Sequence, residues 1–303
     1  MISKKVLERW SKDYKLPIKI FSEPYFSYFV DLFDSQHNVK QKLELLEYTL
    51  SCYETDDDFL NDYYKIRDNI IKHLNEKESY KTFINEDFSK YNVNNKYSSN
   101  NVFNNSNKDC ILISIDLVKA NFQVLKYFYP DIVDYKDTYK DFLKQFTDLE
   151  YMMQSKYLRQ VIFGNINPKR QVKLQRYLIE QIINLYDEEF KSKIISVSND
   201  EIVIKVENNS KFLSFDFTEE IKDKLNIDVD VEIYLLKQIV SFDKKQEFYV
   251  KEFINKDGYE LMSVPANYYT QVFKYYNDMQ INDNDLLFLH EGLIAKFLNS
   301  IFN

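Results

Sequence analysis

"IISVSNDEIVIKV", residues 194–206, is the stretch on which the fold turns. It is apolar on both sides and breaks once, at Ser198-Asn199-Asp200-Glu201. Two apolar runs joined by a short polar segment predict a hairpin. Its tip has two readings. Asn and Asp tolerate tight-turn backbone angles, so the tip can be a turn and nothing more. Alternatively, a rigid tip holds two adjacent carboxylates above the end of a sheet, where oxygen ligands suit a divalent cation.

Outward from this hairpin lies a second apolar run, in "DCILISIDLVKANFQVLKYF" (109–128). "CILISI" is continuous, as in a central strand covered on both faces. It ends at Asp116, and helical spacing follows. Asp116 can be the cap of that helix, or an acid aimed at the rim of the sheet, where sites collect. If both elements share one sheet, Asp116 and the Asp200-Glu201 pair meet at its rim. Carboxylates so placed can hold two divalent metals for in-line attack on a nucleoside triphosphate.

Such chemistry needs cations for the phosphates. From Tyr151 to Ile179 the chain has no Asp or Glu in 29 residues, although acids number 48 in 303. The same window holds Lys156, Arg159, Lys169, Arg170, Lys173 and Arg176, and so three of the five arginines. A solvated helix face would mix signs, so the window reads as anion-binding. Net charge is −8, which argues against a general duplex-coating protein but allows a local basic groove.

The remaining segments frame this centre. Residues 1–90 read as a helical region: "SEPYFSYFVDLFD" (22–34) with Ser22 as a candidate cap, then 39–53 and 57–74 with apolar residues at helical spacing. Residues 91–108 contain eight asparagines and no period, which predicts a mobile linker. Residues 137–163 and 170–190 read as helical. "DVDVEIYLLKQIVSF" (228–242) alternates as a half-exposed strand does. Residues 247–265 read as a hairpin turning at Lys256-Asp257-Gly258, and 266–303 return to helical spacing. The fold class is therefore α+β: helices 1–90, linker 91–108, an antiparallel-sheet domain 109–245 with helices on one face, and a small C-terminal region 246–303.

Composition removes several classes. Gly164, Gly258 and Gly292 are the only glycines, so neither a Walker loop nor a dinucleotide fingerprint is present. Cys52 and Cys110 make no disulfide framework or zinc motif, and His37, His73 and His290 are scattered. No apolar run is long enough to cross a membrane, and the N-terminus lacks a signal-peptide core. The expected location is cytoplasmic, with no membrane partner.

"SIDLVKANFQVL" resembles motif A of polymerase palm domains, and "SVSNDEIVIKV" is similar to motif C, in the Asp-Glu form of the family A DNA polymerases. "RQVIFGNINPKRQ" stands in the place of motif B, without its usual pattern. "KKQEFYVKEF" (244–253) resembles the Lys-x-Tyr region of family B polymerases. The resemblance covers residues 109–265. It implies a reduced, primase-like or accessory polymerase of phage type, with a palm, minimal fingers and a thumb-like C-terminal region. Asp116, Asp200 and Glu201 would be catalytic, and Asp116 and Asp200 would bind Mg²⁺ or Mn²⁺. Asn121, Arg159, Lys169 and Arg170 would hold the nucleotide. Lys173, Arg176, Lys245 and Tyr249 would touch nucleic acid. The implied partners are a template-primer and nucleoside triphosphates. A catalytically inactive palm, a non-enzymatic interaction module and a nucleotidyl cyclase are the alternatives. Ser-Asn-Asp-Glu-Ile, in place of Gly-Gly-Asp-Glu-Phe, disfavours the cyclase.

Overall fold

A computed structural model describes residues 2–93 and 96–302. Five helices come first: α1 (Lys4–Asp13), α2 (Tyr25–His37), α3 (Val39–Leu50), α4 (Asp56–Glu76) and α5 (Glu78–Asn85). Then β1 (Ile111–Leu117) leads into α6 (Ala120–Phe128), α7 (Tyr139–Leu143), α8 (Glu150–Gln154), α9 (Lys156–Gly164), α10 (Pro168–Asn184) and α11 (Glu188–Ser192). The predicted hairpin is β2 (Ile194–Val197) and β3 (Glu201–Val206). After α12 (Phe217–Leu225) come β4 (Val229–Val240), β5 (Glu247–Phe253), β6 (Tyr259–Met262), α13 (Tyr269–Tyr276), β7 (Leu287–His290) and β8 (Leu293–Lys296). The fold is α+β.

Six strands form one sheet in the order β2-β3-β1-β4-β5-β6, antiparallel throughout. β1 is central, as its apolar run requires. Its Ile113 and Ile115 face the helices and join one continuous core that runs from Val6 and Trp10 through Ile70, Phe142 and Ile182 to Phe273. The helical region 1–90 thus shares its core with the sheet. On the other face, Leu112, Val203, Tyr234, Leu236 and Tyr249 form a second, smaller cluster closed by Val102.

Several expectations need correction. α2 begins at Tyr25 and Ser22 does not cap it. The Asn-rich stretch packs rather than merely links: Val197 N–H donates to Ser98 O (3.1 Å), and Asn100 Nδ2 donates to Ile195 O (2.8 Å). Asn94 and Asn95, within that stretch, lie outside the described residues. The expected division at 245/246 falls inside the β4–β5 hairpin. In the C-terminal segment, the helical expectation holds for α13 but not for 287–296, which form the β7–β8 hairpin. Glu291 and Gly292 turn it, both at positive φ, as a two-residue hairpin loop demands.

Candidate anion and carboxylate cleft

The sheet register brings the acids together. Asp116 on β1 stands opposite Glu201 on β3 and Asp230 on β4, so three carboxylates lie side by side across three central strands. Asp116 is within the strand, and α6 begins only after Lys119, so Asp116 does not cap that helix. The β2–β3 tip is a turn built by Ser198: its hydroxyl accepts from the N–H groups of Asp200 (3.3 Å) and Glu201 (3.0 Å). Leu117 N–H donates to Asp200 O (2.8 Å), which ties the tip to the end of β1. The turn and the carboxylate placement are thus one feature. Asp200 lines a cleft together with Asp116, while Glu201 lies beside Asp116 on the sheet face and accepts from the Ser114 hydroxyl.

That cleft has a volume of about 490 Å³. Its other wall carries Lys15, Lys119, Lys156 and Arg159, with Asn121, Gln160 and Gln175 between. Lys156 and Arg159 come from α9. Lys119 comes from the turn after β1, and Lys15 from the turn after α1; both of these turn lysines sit at positive φ (50° and 52°). Asn121 accepts from the Gln175 side chain (2.5 Å), and Gln175 is buried, so the two amides fix one another.

The electrostatics divide the cleft. Burial, and then the charges of Asp200, Glu201, Asp230 and Glu232, push the Asp116 carboxyl up to about 7, although the side chain opens onto the cleft. On the opposite wall, burial lowers Lys15, with Lys156 and Arg159 adding repulsion, and Lys119 is lowered by burial and Arg159. Arg159 is lowered by burial; its guanidinium lies over the Tyr139 ring at 5.6 Å. Among the described residues, no carboxylate forms an ion pair with any of these four cations. Four cations thus converge on one wall of a cleft whose other wall carries Asp116 and Asp200.

The rest of the acid-free window does other work. Arg170 stacks on Phe88 (4.1 Å) and donates to Phe83 O and Glu86 O, which ties α10 to the helical region. Arg176 donates to Val197 O, Ser198 O and Tyr97 O, each at 2.6 Å, and so holds the hairpin tip. Lys173 bonds Asn92 (2.9 Å), and Lys169 is exposed and does not line the cleft. Lys245 pairs with Asp243 in the β4–β5 turn. Tyr249 is buried in the smaller apolar cluster and donates to Glu247 (3.1 Å). It stands opposite Gln238, roughly 26 Å along β4 from Asp230 at about 3.3 Å per residue. Of the expected nucleotide-binding residues, then, Asn121 and Arg159 reach the cleft.

Lys15, Lys119, Asp230 and Glu232 were missed by the sequence reading. Asp230 and Glu232 alternate along β4 like any solvent-facing pair, and Glu232 is engaged by Lys251 (2.9 Å) and Lys256 (2.7 Å). Among the described residues, no three His, Cys, Asp or Glu side chains converge tightly enough to hold an ion alone. Asp116 and Asp200 are the cleft residues that offer carboxylate oxygens, the donor type a hard divalent cation takes. The fold and cleft define an α+β protein with an acid-and-cation site at the rim of an antiparallel sheet. No family model, no curated protein and no solved structure matches the chain.

Proposed function

We propose that the protein is a template-directed nucleotidyltransferase dependent on Mg²⁺ or Mn²⁺. One observation carries the reading: Asp116 and Asp200 line the same cleft as Lys15, Lys119, Lys156 and Arg159. The cation wall holds the triphosphate, and Arg159 offers a planar fork to a phosphate. Asn121, held by Gln175, faces the nucleotide in the same cleft. A divalent cation at Asp116 and Asp200 would activate the attacking hydroxyl and neutralise charge on the leaving pyrophosphate. The Asp116 carboxylate must be ionised for this, and a cation beside it would offset the burial and the neighbouring carboxylates that raise its pKa in the metal-free protein. The volume is in the range of small-molecule sites.

The test is incorporation of labelled nucleotides on primed DNA and RNA templates with Mg²⁺ or Mn²⁺. Mixed incorporation that needs a template supports the proposal; one nucleotide consumed without a template identifies a cyclase. Among the described residues no three ligating side chains converge, and this favours a second reading, a palm that binds nucleotide without turning it over. Nucleotide binding with no product under any metal condition would establish that one.

A further inference from the structure

The side chain of Asp13 is fully buried at the end of α1 and plays no part in the chemistry proposed above. Its Oδ1 accepts from the hydroxyls of Tyr63 (2.9 Å) and Ser155 (2.8 Å), and its Oδ2 accepts from Tyr151 (2.7 Å). Leaving a carboxylate in the core costs several kcal/mol unless its lone pairs are met, and here hydroxyls from three separate places in the chain meet them. The position of these partners is informative. Lys15, at φ 52°, follows Asp13 closely across the turn that ends α1. Ser155 caps α9 by accepting from Leu158 N–H (2.9 Å) while donating to Asp13, and α9 starts with Lys156 and carries Arg159. One carboxylate therefore joins the turn bearing Lys15 to the helix bearing Lys156 and Arg159. Without that tie, the mutual repulsion of the three cations would spread the wall.

We propose that Asp13 is a positioning residue that holds Lys15 beside Lys156 and Arg159 in one cleft, so that the N-terminal helices supply part of a polyphosphate-binding wall. This rests on the anion-binding role of the cleft but not on nucleotidyl transfer. Its ligand class is a linear polyphosphate, free or as the tail of a nucleotide.

The test is calorimetric binding of inorganic tripolyphosphate and of inorganic phosphate, without metal, at several salt concentrations well below the melting temperature. Lys15→Met, on the surface, should weaken tripolyphosphate about tenfold, leave phosphate within about twofold, and flatten the salt dependence by roughly one contact. Asp13→Asn should weaken tripolyphosphate severalfold, and adding it to Lys15→Met should cost less than it does alone, because the two act through one spacing. A merely structural Asp13 would lower the melting temperature while leaving the salt slope and the preference for tripolyphosphate over phosphate unchanged; that result overturns the proposal. If Asp13→Asn does not fold, Tyr151→Phe removes one of the three hydroxyl donors and is read the same way. Wild-type tripolyphosphate affinity in Lys15→Met also overturns it. If Lys15→Met and Asp13→Asn both lose tripolyphosphate preference while the wild type transfers no nucleotide, the positioning role stands and only the nucleotidyltransferase reading falls.

Discussion

Arg159 and Arg176 share one acid-free window and one chemistry, yet α9 and α10 use them in opposite ways. Arg159 lies along the Tyr139 ring and, among the described residues, lines the cleft without an ion pair to Asp116 or Asp200 across it. Arg176 spends its donors on three backbone carbonyls at the hairpin tip and the chain beside it. The difference is set by what surrounds each helix. α10 runs past the end of β2, the hairpin turn and an irregular segment, and the guanidinium meets a carbonyl from each. α9 faces an opening. A shortage of acids therefore marks two kinds of place: a cleft wall where cations converge, and a segment where main-chain carbonyls must be met.

The sharpest way to break this comparison is at the carboxylates that face Arg159. Asp200→Asn keeps the Ser198-built turn and should leave the fold intact, while Mg²⁺-dependent transfer falls by roughly several hundredfold or more, since each ~1.4 kcal/mol lost is a factor of ten. Steady-state incorporation beside a melting curve measures both; transfer near the wild-type rate would reduce the Asp-Glu tip to a turn. Next come the two arginines. Arg176→Met should cost about 2 kcal/mol or more of stability by leaving half-buried carbonyls unmet. Arg159→Met should leave stability unchanged or slightly raised and weaken nucleotide binding roughly tenfold. Equal effects on both properties from both variants would erase the distinction between the helices.

A smaller effect separates Asp116 from the other acids. Its folded-state pKa, about 7, lies above the ordinary 3.8, so between these values the folded protein keeps a proton that the unfolded chain has released. Stability without metal should therefore decline as pH rises through that window, and Asp116→Asn should remove the decline. Melting temperatures of both proteins across the window, with and without Mg²⁺, read it; parallel curves would show that Asp116 is not strained by its neighbours. The smallest effect belongs to Tyr249→Phe. It loses two half-buried hydrogen bonds, to Glu247 and from Gln238, about 1 kcal/mol in all, and should leave template binding unchanged in a salt titration. A clear loss of template affinity would restore the Lys-x-Tyr expectation.

Much of the sheet was legible because strands announce themselves by apolar continuity. The runs 111–117 and 201–206 needed no tertiary information, and Asp116 at the end of one, with Asp200 before the other, was enough to place both at one rim. Lys15 and Lys119 carried no local signal: each is a single lysine at a turn, and only tertiary packing brings them beside α9. Asp230 was hidden because an outward acid on an alternating strand looks the same whether it meets water or another carboxylate. The C-terminal hairpin was misread because "LLFLHEGLIAKF" spaces its apolar residues in a way that a helix also allows. Gly292 beside Glu291 was the available cue, since a two-residue turn needs a residue at ease with positive φ.

The continuous core has a practical meaning for cutting the chain. Trp10, Phe59 and Phe83 pack in the same interior as Ile113, Ile162 and Phe273. A polypeptide ending near residue 90 would present a large oily surface to water, and so would the remainder. Made separately, the two pieces should aggregate or stay unfolded; made together, they should reassemble as a split protein does. An evolutionary exchange that replaced the N-terminal helices with an unrelated module would have to rebuild about a third of the interior. The Asn-rich stretch, bonded to β2 and to Arg176, is therefore not a seam at which to separate this protein.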